Sequence, residues 1–316
     1  MPKYRIVTFD GGGICGLLTA ILLERISAQI PGWLDKADLF AGTSTGGLIA
    51  LGLARGLPPS QLVELYQQKG QEIFDDSWLD NLIDMGQISG AQYSNGNLTR
   101  EVKRILGKDT KLKDLNRSVL IPTFDLDNED PNPAKRSWKP KFFHNYKVRE
   151  GRYDGDELAY KVGLYTSAAP TYFPSVDGYV DGGVIANNPS MAALAQTQDP
   201  RVIFPSGRER PALSDVVLIS FSCGKAMMHI KGKNLDWGFA QWVQPLIRIL
   251  LNGGVAVADY QCSQILRDNY FRLDPAYPLD KSFVLDDADK IPQLAEFSKS
   301  VNIDATLAWI KERWLG

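Results

Sequence analysis

Short apolar runs alternate along the first part of the chain with stretches in which apolar side chains recur every three or four residues. Residues 4–9 (Tyr-Arg-Ile-Val-Thr-Phe) read as a buried strand. Residues 17–30 read as a helix with Leu18, Leu22 and Ile26 on one face and Ile21 beside them, stopped by Pro31-Gly32. Residues 38–41 form a second strand-type run, and residues 46–54 are small and apolar, as in a buried helix. This β-loop-α-β-loop-α order predicts an α/β fold, a central, mostly parallel sheet flanked by helices in three layers.

Further along, a Pro-Pro turn and a helix occupy 57–74, with Leu62, Leu65, Tyr66 and Phe74 as packing residues. Residues 75–97 mix turn formers with scattered apolar side chains and read either as a mobile lid or as an inert surface loop. A helix at 98–106 precedes a core strand at 118–126, in which Pro122 hints at an edge or a bulge. Residues 127–140 are a charged, proline-bearing loop, 141–146 a further strand and 157–167 a helix. Asn187-Asn188-Pro189 caps a helix at 189–196, and 215–222 is another buried strand. The most apolar stretch, 237–257, is interrupted by Gln241, Gln244, Pro245, Arg248 and Asn252, so no membrane span is expected. Trp237 and Trp242 would suit a lipid interface, but a core or site-lining helix is the favoured reading. Apolar residues from Leu294 to Trp314 near helical spacing should close the core. Without repeats or a linker, residues 1–316 read as a single domain, its motifs within 4–200 and the remainder completing sheet and helical cover.

Of the 316 residues, 44% are hydrophobic and 23% charged, the balance of a soluble globular protein. The net charge of −2, with no basic block, argues against a nucleic-acid partner. The N-terminus runs straight into a strand without a secretory apolar segment, so a cytoplasmic address is expected. Cys15, Cys223 and Cys262 are far apart and lack C-x-x-C spacing, which argues against a disulfide framework or a zinc site. His144 and His229 are the only histidines that a Ser-His mechanism could use. His144 lies mid-strand in an aromatic run, where a structural role is the better reading.

Three sequences carry chemistry. Gly42-Thr43-Ser44-Thr45-Gly46 joins a strand to a helix in a G-x-S-x-G pattern. Its glycines permit a strained turn that lifts the serine hydroxyl to a helix N-terminus; the bland alternative is a glycine-rich turn holding an ordinary serine. Asp10-Gly11-Gly12-Gly13-Ile14-Cys15-Gly16 also follows a strand and opens a helix. Gly11, Gly13 and Gly16 fit the dinucleotide fingerprint, but the second strand ends without the acidic residue that a ribose needs. A plain tight turn is a second reading. An oxyanion hole, in which bare N–H groups converge on a substrate oxygen, is the favoured third. Asp181 leaves a strand into Gly182 and Gly183, a tight loop that allows close approach by another group. Ser44, Asp181 and the glycine loop together could supply the nucleophile, base and oxyanion donors of ester hydrolysis. Cys15 reads either as a thiol activated at a helix N-terminus or as a small buried residue, the latter favoured.

With these motifs the chain resembles the patatin-like phospholipase family. Asp10–Gly16 matches the glycine-rich oxyanion motif, Gly42–Gly46 the nucleophile elbow and Asp181–Gly183 the catalytic aspartate motif, while Ala169–Pro174 and Asn187–Pro189 also look like family sequence. The resemblance implies a Ser-Asp dyad without histidine, a central parallel sheet and metal-independent, cofactor-free hydrolysis of lipid acyl esters. By matching position, Ser44 is the nucleophile and Asp181 the base. Gly12 and Gly13 are the best oxyanion donors, with Gly11 in the same loop, and Asp10, Gly16, Gly42, Gly46, Gly182 and Gly183 support the motifs. Cys15 departs from the Arg or Lys that many members carry there, which alters the charge near the oxyanion. The implied protein is a phospholipase A or lysophospholipase acting at membrane surfaces. Acyl transfer or neutral-lipid or thioester hydrolysis on the same dyad, and a lipid-binding or partner-activated effector with little turnover, are the alternatives.

Overall fold

The computed structural model describes residues 2–316 except 74–95, 171–172, 206–207, 228, 233 and 279–287. Its centre is a seven-stranded, mostly parallel sheet. Strands β1 (Tyr4–Phe9), β2 (Leu39–Gly42) and β3 (Ser118–Asp125) are parallel neighbours on one side. On the other side of β1 lie β8 (Val216–Phe221) and then β9 (Tyr270–Leu273), both parallel to it. Beyond β3, β4 (Lys139–His144) runs antiparallel at the far edge. Strands β5 (Lys147–Val148) and β7 (Val202–Ile203) form a separate two-stranded sheet. Strands β8 and β9 bring the C-terminal part of the chain into the main sheet.

Alternation along the strands feeds two cores. Val7, Phe9, Val217, Ile219 and Phe221 face one of them. There they meet α1 (Gly16–Gln29), α2 (Thr45–Arg55) and α3 (Pro59–Ile73), with α4 (Gly96–Leu106) and α5 (Ala159–Thr166) on the same side. Ile6, Leu39, Val216 and Leu218 face the other, covered by α7 (Ser190–Thr197) and α8 (Phe239–Leu266). Both sheet faces are therefore dry, as a parallel sheet requires. The C-terminal tail closes the first core. Helix α9 (Ile291–Ser300) packs on α1, and Trp314 donates its indole N–H to Trp33 O at 2.9 Å.

The short strand β6 (Tyr179–Asp181) has the position that matters most. Strand β4 occupies one edge of β3 from Leu120 to Asp125. On the other edge β2 pairs with Ser118–Leu120, and β6 pairs with Thr123–Asp125. Strands β2 and β6 thus share one lane. One is parallel and the other antiparallel to β3, so their C-terminal ends point at each other. Pro122, read from sequence as marking an edge or a bulge, falls inside the sheet in the gap between the two pairings, where a strand residue without an N–H is tolerated. The short helix α6 (Gly183–Ala186) follows β6 and has no counterpart in the sequence reading. Residues 75–95 of the suggested lid lie outside the described residues, and Gly96 and Asn97 already belong to α4. Helix α8 runs nine residues past the apolar stretch that predicted it. Among the described residues no helix is long and apolar enough to cross a membrane.

Candidate active site

Ser44 stands at the C-terminal end of β2 with φ 54° and ψ −125°, one of four non-glycine residues of positive φ among those described. A side chain in that region is strained, and tight packing on both sides holds it there. A Cβ on Gly42 would overlap the carbonyl of Gly46, and one on Gly46 would overlap the carbonyl of Phe9. Both glycines are thus required by backbone against backbone. The Ser44 carbonyl accepts the N–H groups of Gly47 at 2.8 Å and Leu48 at 3.1 Å, which starts α2 directly behind the hydroxyl. The Ser44 N–H is held by Thr166 Oγ1 at 2.9 Å, and that hydroxyl donates in turn to Pro122 O at 2.7 Å.

Asp181, the last residue of β6, is 5% exposed and faces this elbow. Its Oδ1 accepts the Gly183 N–H at 2.7 Å, and the nearby Ser44 hydroxyl, like that N–H, favours its charged form. Burial pushes its pKa up to about 7, against the lowering effect of the Gly183 N–H and the Ser44 hydroxyl. A buried carboxylate beside a hydroxyl and poised near neutrality has the basicity to take a proton from it.

The glycine loop packs between these parts. Asp10 N–H bonds Phe221 O at 3.0 Å, and Gly11 N–H bonds Asn187 O at 3.0 Å. Asn187 Nδ2 returns a hydrogen bond to Gly11 O at 3.3 Å, so Asn187 ties the glycine loop to the loop after Asp181. The Gly11 N–H is therefore already engaged and is not a spare donor, unlike the expectation that grouped it with Gly12 and Gly13. Gly12 lies against Cys223, whose side chain would collide with any Cβ there. Gly13 has φ 56°, a conformation that glycine adopts without strain. A Cβ at Gly16 would overlap Thr45 Oγ1, and one at Gly182 would overlap Pro122 O. Gly183 leaves 3.1 Å between its Cβ direction and Asp181 Oδ1.

Asp10 turns away from the loop into a buried ion pair with Arg272, Nη2 to Oδ2 at 2.6 Å. Burial raises the Asp10 carboxyl to about 6, with Arg272 pulling it back down. Cys15 is buried and within hydrogen-bonding reach of the Tyr277 hydroxyl, so it fills space beside the loop, as the bland reading had it. His144 sits on β4, paired with Leu120 across β3 and thus on the strand edge opposite β2 and β6. Among the described residues no three His, Cys, Asp or Glu side chains are arranged to hold a metal ion.

Thr166, Asn187 and Arg272 escaped the sequence reading as site residues. Asn187 lay in a stretch already marked as a helix cap, although it is Asn188 Oδ1 that accepts the Ser190 N–H at 3.0 Å. Thr166 and Arg272 sit in ordinary helix and strand sequence, and only the sheet order brings them near.

The patatin-like phospholipase family model matches residues 7–194. Protein teg of Priestia megaterium is 26% identical over 340 aligned residues, covering 99% of this chain and 100% of its own. A cGAMP-activated phospholipase of Vibrio cholerae is 30% identical over 312 aligned residues, covering 87% of this chain and 82% of its own. Among solved structures, the ExoU–SpcU complex of Pseudomonas aeruginosa is similar at a TM-score of 0.42 and 13% identity, covering 100% of this chain and 52% of that one.

Proposed function

This chain belongs to the patatin-like phospholipase family, and on that premise we propose that it is a lipid acyl hydrolase working through a Ser44–Asp181 dyad. The observation that carries the reading is a hydroxyl on a strained turn facing a buried carboxylate whose pKa stands at about 7. In the first step Ser44 Oγ attacks the acyl carbonyl carbon while Asp181 takes the hydroxyl proton. The proton then passes to the leaving alcohol as the ester bond breaks, leaving an acyl-Ser44 ester. In the second step Asp181 takes a proton from water, the water oxygen attacks the acyl carbon, and the proton returns to Ser44 Oγ as the fatty acid leaves. The oxyanion of both steps rests on the N–H groups of Gly12 and Gly13, helped by the N-terminus of α2. Gly11 positions the loop through Asn187 instead of donating. Neither step calls for a metal or a cofactor.

The test is fatty-acid release from mixed phospholipid vesicles in EDTA, comparing wild type with Ser44→Ala and Asp181→Asn. Release by wild type alone supports the dyad. Equal release by the Asp181→Asn protein would remove Asp181 from the mechanism.

A second reading keeps the dyad but holds basal turnover low until an activator binds. The Vibrio cholerae relative named for cGAMP activation motivates it. Vesicle hydrolysis measured with and without cGAMP separates the two: a rate that depends on the nucleotide supports the second, and an unchanged rate removes that activator.

A further inference from the structure

Helix α8 is apolar on both of its faces. Cys262 and Leu266 pack in the core under the sheet, Ala258 is buried, and Leu251 reaches Gly183 beside the site. Leu246, Ile249, Leu250, Val257 and Tyr260 turn outward, with Leu250 62% and Tyr260 66% exposed. At 100° per residue these outward positions fall, with Gly253 among them, in one stripe about 100° wide. From Ile249 to Leu266 the only charged residue is Asp259, and it accepts the Tyr270 hydroxyl at 2.8 Å. An uncharged stripe of this length on a surface helix calls for a cover.

Three observations say what covers it. First, the helix that carries the stripe packs its other face on the site. Leu251 Cδ2 lies 3.2 Å from the Cβ direction of Gly183, two residues after Asp181, and the neighbouring Val184 is 43% exposed. Second, the loop that leads into α8 leaves β8 at the sheet end where Ser44 and the glycine loop stand, because β1, β2 and β8 are parallel. Third, that loop sets exposed Lys225 and Lys231 on either side of exposed Met227 and Ile230. Apolar side chains beside lysines suit an anionic lipid surface, where the former enter the acyl boundary and the latter meet phosphate.

We propose that the outward stripe of α8 and the side chains of Lys225, Met227, Ile230 and Lys231 form one docking surface for an anionic phospholipid bilayer, seating the site on the membrane. The proposal rests on the lipid-hydrolase reading and deepens it: a lipid chain that slides along an apolar helix to Ser44 avoids exposure to water on the way.

The test is flotation of the Ser44→Ala protein with vesicles of phosphatidylcholine, alone or mixed with phosphatidylglycerol. Leu250→Glu/Val257→Glu is expected to weaken binding to both vesicle types about tenfold or more, since each change places a charge at the acyl boundary. Lys225→Glu/Lys231→Glu is expected to weaken binding to the phosphatidylglycerol vesicles alone, with a steep salt dependence. In a Ser44-intact background both doubles should keep the wild-type Tm and the wild-type rate on a water-soluble short-chain ester. If glutamate lowers the Tm, Leu250→Gln/Val257→Thr serves the same comparison. Absence of wild-type flotation, or flotation unchanged in the α8 doubles, overturns the proposal. So does a dimer in light scattering that the α8 doubles convert to monomer without change in flotation, which assigns the stripe to a second copy. A protein that floats as described but neither cleaves the soluble ester nor reacts with a fluorophosphonate leaves the docking surface standing and overturns the catalytic reading.

Discussion

Arg272 on β9 reaches across β8 to Asp10, placing Nη2 2.6 Å from Oδ2 while its Nη1 bonds Ser220 Oγ at 2.8 Å. The two side chains are 6% and 4% exposed. The first residue of the glycine loop is thereby fixed to a strand two places away in the sheet. Removing one partner leaves an uncompensated buried charge, so Arg272→Met should cost about 3–5 kcal/mol of unfolding free energy in urea. Asp10→Asn/Arg272→Met removes both charges and should recover part of that loss. A double variant no more stable than the single would mean that the pair is not the source of the effect.

The motif-bearing half of the fold was legible because its signals are local. Gly42 is demanded by a backbone clash with Gly46 inside the serine turn itself, and β1, β2 and the helices after them follow from short-range patterning. What was not legible depends on sheet order. That β2 and β6 lie head to head along β3 has no trace in either segment, yet it joins Ser44 to Asp181. Arg272 lies on β9, a strand without a counterpart in the sequence reading, and only the sheet order makes it the second neighbour of β1. The engagement of the Gly11 N–H likewise needs Asn187, which is distant in sequence.

Ser44→Gly should raise stability where Ser44→Ala does not. The residue sits at φ 54° and ψ −125°, a conformation costing a non-glycine residue about 1–3 kcal/mol. Alanine keeps the Cβ and the strain, whereas glycine relieves the strain at some cost in unfolded-state entropy. The expected net gain of Ser44→Gly over Ser44→Ala is about 1 kcal/mol in chemical denaturation, and neither protein should react with a fluorophosphonate. Equal stabilities would mean that the turn is not strained in solution.

His144→Gln should leave vesicle hydrolysis near the wild-type rate. The imidazole stacks obliquely on Tyr146, 5.8 Å between centroids, and burial lowers its pKa. Strand β3 separates its strand from the lane that holds Ser44 and Asp181. A loss of several orders of magnitude in a protein of unchanged Tm would restore a Ser-His mechanism.

The rate on a soluble ester should depend on pH through Asp181. The base must be ionised to accept the Ser44 proton, and its carboxyl stands at about 7. kcat/KM is therefore expected to rise with pH about a midpoint near 7 and to fall tenfold per pH unit well below it. A profile flat down to pH 5 would exclude a carboxylate of raised pKa as the base.

The same group makes stability run against activity. Asp181 ionises near its ordinary value of 3.8 in the unfolded chain and at about 7 in the folded one. Between those values the folded state holds a proton that the unfolded state has released, so burial of the neutral acid favours folding fully below pH 3.8. That contribution is lost as pH rises through 7, and at pH 8 the folded protein carries a buried carboxylate. Asp181→Asn cannot ionise and retains an oxygen to accept the Gly183 N–H. Its stability relative to wild type should therefore climb from pH 4 to pH 8, by at most on the order of 4 kcal/mol. Asp10 titrates identically in both proteins, so its effect cancels from the difference. Urea unfolding of the two proteins across that range checks the sign. A stability difference independent of pH would show that Asp181 ionises normally in the folded state, and the proposed base would lose its basicity.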